Sequence, residues 1–190
     1  PEAGQALPPE YGVSAPHPIA LLEVSDGAGG WADAASLAEN AGSLQYRFRL
    51  VDQTDASPFS LQEDVRVSIK VTRGNGLLLE GNGQDFDLAD MLAQFQAASG
   101  FKNVAYNPAS GLLTFTIDKN CPDPTVTFTG QALPDAAIEG TEKLRLDIVD
   151  IQGNEALRGG GVSTELLDVP VVSVSVTARE ICESEGASLP

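Results

Sequence analysis

The chain of 190 residues has a single histidine, His17, set between two prolines near the N-terminus. A zinc site built from several histidines is therefore excluded within it, and a Ser-His-Asp triad would have to recruit this one poorly placed residue. Basic residues are scarce: 11 Lys+Arg stand against 27 Asp+Glu, for a net charge of −16. A duplex nucleic-acid binder needs a basic patch, and docking on an anionic membrane needs one too, so both partner classes are set aside. No apolar run approaches the ~18–20 residues of a membrane span, which argues against direct insertion. A basic-then-apolar leader is also missing, as expected of a mature protein or an excised piece. The two cysteines, Cys121 and Cys182, are too far apart for a metal knuckle or a CxxC redox motif. A disulfide, which would suit an oxidising compartment, and two separate thiols both remain open.

What is present is a foldable composition, 42% hydrophobic and 20% charged. Residues 1–16 carry four prolines and no periodic pattern, and read as a linker or tail. Beyond them the period is two. Apolar and polar residues alternate through Leu44–Leu50, Val65–Val71, Leu113–Ile117, Val126–Phe128 and Leu144–Ile148, with further candidates at Ile19–Val24, Thr164–Val169 and Val171–Val176. Alternation means one buried and one wet face, so seven or eight such strands without a βαβ rhythm predict a mainly β fold. The expected architecture is an immunoglobulin-like antiparallel β-sandwich. Arg47, Arg49, Arg66, Lys70, Lys143 and Arg145 fall on outward strand positions, while the excess acid collects in turns and strand ends. One segment changes period. Leu88, Met91, Leu92 and Phe95 make a helical stripe, with Asp87 as the expected N-cap, Asp90 in the first turn and Gly100 as the stop. The expectation is one short helix, inserted between two strands of the sandwich.

Acidic residues gather before the strand at 143–149, in Pro134-Asp135-Ala136-Ala137-Ile138-Glu139-Gly140-Thr141-Glu142. This Asp-x-x-x-Glu-Gly-x-Glu pattern resembles the signature of Calx-beta domains, the calcium-binding modules of sodium–calcium exchangers that recur in large bacterial surface proteins. Ser36–Gly42, with Glu39, resembles that family's opening turn. Gly83-Gln84-Asp85-Phe86 resembles its Gly-x-Asp-aromatic element, and Leu113–Ile117 its Leu-x-Phe strand. The resemblance covers roughly residues 17–170 and departs from the family between Gly74 and Ser110, where the chain is longer, and at 120–124. It implies a calcium site with Glu39, Asp85, Asp135 and Glu139 as ligands, and Asp87 and Glu142 as possible additions. The alternatives are ordinary ones: solvated turn carboxylates at Asp135 and Glu139, an ion pair at Glu142, a helix cap at Asp87. Calcium takes six to eight oxygen ligands, and gathered carboxylates repel one another until a cation joins them. The tail from Pro170 to Leu189 echoes Pro18–Leu44 in order. Residues 171–190 are thus either the last strand or the start of a second repeat.

These readings imply a calcium-stiffened module of a large extracellular adhesin at a bacterial cell surface, a monomer joined to neighbouring domains of its own chain. The alternative is a dedicated domain for a cell-surface peptide or glycan, its site built by the 74–110 insertion and a calcium ion. Phe86, Phe95, Phe101 and Tyr106, with Trp31, are then the ligand-facing aromatics. Against that stands a plainer role for Phe95 and Phe101, tucking the helix onto the sheet. A hydrolase using Asp135 and Glu139 is the remote alternative; no catalytic residue is assigned and the chain is read as no enzyme. Neither Gly81–Asp85 as a calcium β-roll nor Asp85–Gln96 as an EF-hand loop survives inspection. The first has one copy where many must stack, and the second lacks the required Gly and terminal Glu.

Overall fold

The computed structural model describes residues 17–38, 42–73, 86–133 and 141–167. Their elements, in chain order, are β1 (Pro18–Ser25), β2 (Trp31–Ala32), β3 (Ala34–Ala38), β4 (Ser43–Asp52), β5 (Val65–Arg73), β6 (Phe86–Asp87), α1 (Ala89–Ala97), β7 (Phe101–Asn107), β8 (Leu112–Ile117), β9 (Thr125–Ala132), β10 (Glu142–Gln152), β11 (Leu157–Arg158) and β12 (Val162–Leu167). The strands form two sheets. The first runs β11-β1-β4-β9-β6, with β2 also paired to β1, and the second runs β3-β12-β10-β5-β8-β7. The fold is the mainly β sandwich that the alternation predicts.

Alternation and burial coincide. Tyr46, Phe48 and Leu50 of β4 face inward, as do Val65, Val67, Ile69 and Val71 of β5. Leu113, Phe115 and Ile117 of β8 join them, with Val126 and Phe128 of β9 and Leu144 and Leu146 of β10. Burying each large apolar side chain contributes about 1.5–3 kcal/mol, so these rows are the main source of the favourable energy that holds the two sheets together. One polar pair crosses the core. The hydroxyls of Tyr46 and Thr164 lie 2.6 Å apart and tie β4 of one sheet to β12 of the other. Burial pushes the Tyr46 phenol well above its usual range, against the opposing effect of the Thr164 hydrogen bond.

The sheets are not wholly antiparallel. β11 runs parallel to β1, and β3 parallel to β12. The cause is the chain's path along one side of the sandwich. It passes from β2 in the first sheet to β3 in the second, and from β10 in the second to β11 in the first. Each short edge strand pairs with a neighbour that runs in its own direction.

The opposite side is closed differently. In the described part of segment 74–110, β7 is an edge strand of the second sheet, paired with β8. Helix α1 packs against β9 of the first sheet and β7 of the second. Met91 and Phe95 are buried, and Leu88 and Leu92 pack beside them on the core. The Phe95 ring centroid lies 4.7 Å from Phe115, 5.6 Å from Phe128, 5.9 Å from Phe101 and 6.2 Å from Phe48. The stripe is therefore part of the core. Strand β6 covers only Gln131 and Ala132 of β9. Farther along that edge an Asp90 carboxylate oxygen accepts the Thr129 N–H at 2.9 Å, so the helix supplies an acceptor where no described strand does. Asp87 is not the helix cap. It belongs to β6, opposite Gln131, and Leu88 holds the N-cap position without a side-chain hydrogen bond. Gly100, just past the helix, has φ +81°, and a Cβ there would meet the Cys121 Sγ at 2.5 Å, so both conformation and space require glycine.

Candidate functional site

The strand registers bring several strand ends to one end of the sandwich. In the first sheet Ser43 opens β4 opposite Gln131, and Phe86 opens β6 opposite Ala132. In the second, Glu142 opens β10 opposite Leu166, while Leu167 and Ala38 pair at the ends of β12 and β3. Connections 39–42 and 133–141 each run from one sheet to the other at this end. Glu39, Asp85, Asp135 and Glu139 lie outside the described residues. The described residues that flank all four are at this end, together with Asp87 on the first sheet and Glu142 on the second. Both side chains are half-buried. No three described His, Cys, Asp or Glu residues come together as a ready metal site. The candidate set is made of carboxylates, the hard oxygen donors calcium takes, so its chemistry fits that ion.

The aromatic candidates are corrected in part. Phe95 is 0% exposed and Phe101 8% exposed, so their rings contact other rings of the core and offer no face to a ligand. Tyr106 is half-buried against the core. Phe86 pairs with Ala132 through its backbone, and its side chain lies outside the described part.

The opposite end is also acidic, but its carboxylates have local work. Asp52 accepts the Thr54 N–H, Asp55 the Ser57 N–H and Asp118 the Asn120 N–H, each two residues on. Two others reach across loops: Asp64 accepts the Lys119 N–H at 2.9 Å and Glu63 the Asn154 N–H at 2.6 Å. The ion pair with Lys102, then the Asn120 N–H, hold the Asp118 carboxyl below its usual range. Hydrogen bonds from Ser57 do the same for Asp55. Cys121 is buried nearby, its thiol 3.4 Å from the Ser99 carbonyl oxygen and pushed up by burial. Cys182 lies outside the described residues.

On the outer face of the first sheet is a cluster that sequence reasoning did not single out. Glu23 of β1 receives two guanidinium groups from β4, Arg47 at 2.7 Å and Arg49 at 2.8 Å. The Arg47 guanidinium carbon lies 4.1 Å from the Trp31 ring centroid. The Arg-Phe-Arg alternation was visible; the register that sets Glu23 opposite Arg47 was not.

Solved structures similar to the fold as a whole include three β-sandwich domains. The apo form of the Calx CBD1 domain aligns over 80% of this chain and 98% of its own, with 13% identity and a TM-score of 0.44. The calcium binding domain CBD12 of CALX1.1 aligns over 72% of this chain and 42% of its own, with 14% identity and a TM-score of 0.40. The collagen adhesin of S. aureus aligns over 66% of this chain and 44% of its own, with 9% identity and a TM-score of 0.37. These are similar β-sandwiches. No family model and no curated protein matches the chain. Among the described residues no helix is long and apolar enough to cross a membrane.

Proposed function

We propose that the chain is a calcium-binding β-sandwich module of a large extracellular surface adhesin, with the ion held by Glu39, Asp85, Asp135 and Glu139 and assisted by Asp87 and Glu142. The observation that carries this reading is the meeting, at one end of the sandwich, of the described strand ends that flank all four principal carboxylates. Four like charges tethered there favour a divalent cation, and the ion in turn ties the two sheets together across the connections 39–42 and 133–141. A module stiffened in that way transmits force along a chain of domains, which is the role proposed for it at a bacterial surface.

The ligand-reading alternative, with a site on the 74–110 segment, loses support from the burial of Phe95 and Phe101. Helix α1 of that segment packs between β9 and β7.

The test is thermal unfolding in millimolar calcium and in chelator at equal ionic strength. Binding to the native state alone stabilises by RT ln(1 + [L]/Kd), about 2.7 kcal/mol at a hundredfold excess over Kd. Superimposable unfolding curves would refute the calcium reading.

A further inference from the structure

The outer face of the first sheet departs from the charge of the whole molecule. On β1, β4 and β9 its charged residues, apart from Asp52 at the end of β4, are Glu23, Arg47 and Arg49. Two cations share one anion, which leaves a positive charge on this face of a chain whose net charge is −16. The three side chains are 18–22% exposed, so water screens them only in part.

The hydrogen bonds do not exhaust the donors. Glu23 Oε2 accepts from Arg47 Nε at 2.9 Å and from Arg49 Nε at 2.8 Å, and Oε1 accepts from Arg49 Nη2 at 3.1 Å. Arg47 Nη2 is 2.7 Å from Oε2. Each guanidinium carries five N–H donors, and the Nη1 of both has no acceptor among the described residues. Trp31, by its contact with Arg47, holds that guanidinium over the sheet. Thr127 stands opposite Arg47, and Thr125 opposite Arg49, on the neighbouring strand.

Spacing selects the ligand. Arg47 and Arg49 are alternate residues of one strand, on the same face and about 6.8 Å apart along it. Alternate side chains of any extended peptide have that same repeat. We propose that this face binds an extended acidic segment of a partner protein, with carboxylates two residues apart, through the free guanidinium edges of Arg47 and Arg49. Charge complementarity supplies the attraction and the shared repeat supplies the selectivity. The proposal does not depend on the calcium reading.

Trp31 is the chain's one tryptophan, so its emission reports on this face. The probe is a capped peptide of three glutamates alternating with serines, titrated into the whole chain in chelator at fixed ionic strength. A saturable change in emission is expected, with weaker binding by a peptide of the same composition whose glutamates are consecutive. Arg49→Gln should weaken binding by about tenfold or more, as expected for a lost bidentate charge-assisted contact. Glu23→Gln, which frees both guanidinium groups, should tighten it. The folded state of each variant is checked by its melting transition. An equal response to acetate or sulfate would mean an adventitious ion only and overturn the proposal. So would tighter binding of an oligogalacturonate than of the peptide, no saturable response, or unchanged affinity in both folded variants.

Discussion

The two ends of the sandwich are both rich in carboxylates, and at one of them the described carboxylates are held by backbone donors. At the end formed by loops 53–64, 118–124 and 153–156, Asp52, Asp55 and Asp118 accept backbone N–H groups two residues on, and Glu63 and Asp64 accept N–H groups from other loops. These carboxylates shape turns and join loops through backbone N–H groups. At the other end, the candidate ligands come from three separate connections, flanked by described strand ends of both sheets. The lesson is that acidity by itself does not mark a cation site. What matters is whether backbone donors already occupy the oxygens. Asp-x-Thr, Asp-x-Ser and Asp-x-Asn are short patterns in which such a donor is local and the carboxylate is accounted for.

The largest effect belongs to the helix that lies between the two ends along one side. Phe95→Ala removes a ring packed among Phe48, Phe101, Phe115 and Phe128. It should cost about 3–5 kcal/mol in chelator and in calcium alike, measured by chemical denaturation. A variant of native stability would return α1 to the status of a dispensable graft. Next comes the contrast between the ends. Asp135→Asn with Glu139→Gln should abolish the calcium-induced rise in melting temperature. Glu63→Gln with Asp64→Asn should lower stability by about 1–3 kcal/mol through the weakened loop bonds while leaving the calcium response intact. If the second pair abolished that response and the first did not, the assignment of the ends would be reversed.

The smallest effect is acid sensitivity. Asp55, Asp118 and, through the Gln94 amide and the Thr129 N–H, Asp90 are held below the usual carboxylate range. A carboxyl lowered in the folded state contributes stability above its unfolded pKa, near about 4. That contribution is lost as pH falls through the lower folded value. Stability in chelator should therefore decline below about pH 4, and Asp118→Asn should make the decline shallower. An identical pH profile for the variant would contradict the role given to Asp118.

Much of this was legible from period alone. The strands centred on Leu44–Leu50, Val65–Val71, Leu113–Ile117, Val126–Phe128 and Leu144–Ile148 all formed, because each alternation had a core face to bury. The helical stripe was legible for the same reason. Strand β7 was missed because a bulge between Lys102 and Ala105, with Asn103 at φ +52°, interrupts its alternation. Strand β3, with Ala34-Ala35-Ser36-Leu37-Ala38, has side chains too small to announce a face. The acidic motif was visible as an ordered set of residues, whereas the meeting of its flanking strand ends depends on pairings between distant segments.

By itself, then, the sequence determined the sandwich class, the inward rows, the helix and the sorting of charge, since periodicity and composition are local properties that burial turns directly into structure. Tertiary structure decided that α1 and β7 complete the barrier between core and water, that two edge strands run parallel to their neighbours, and that Glu23 lies beneath two arginines. Those outcomes rest on register and on which sheet each segment joins, and both are settled by contacts between residues far apart in the chain.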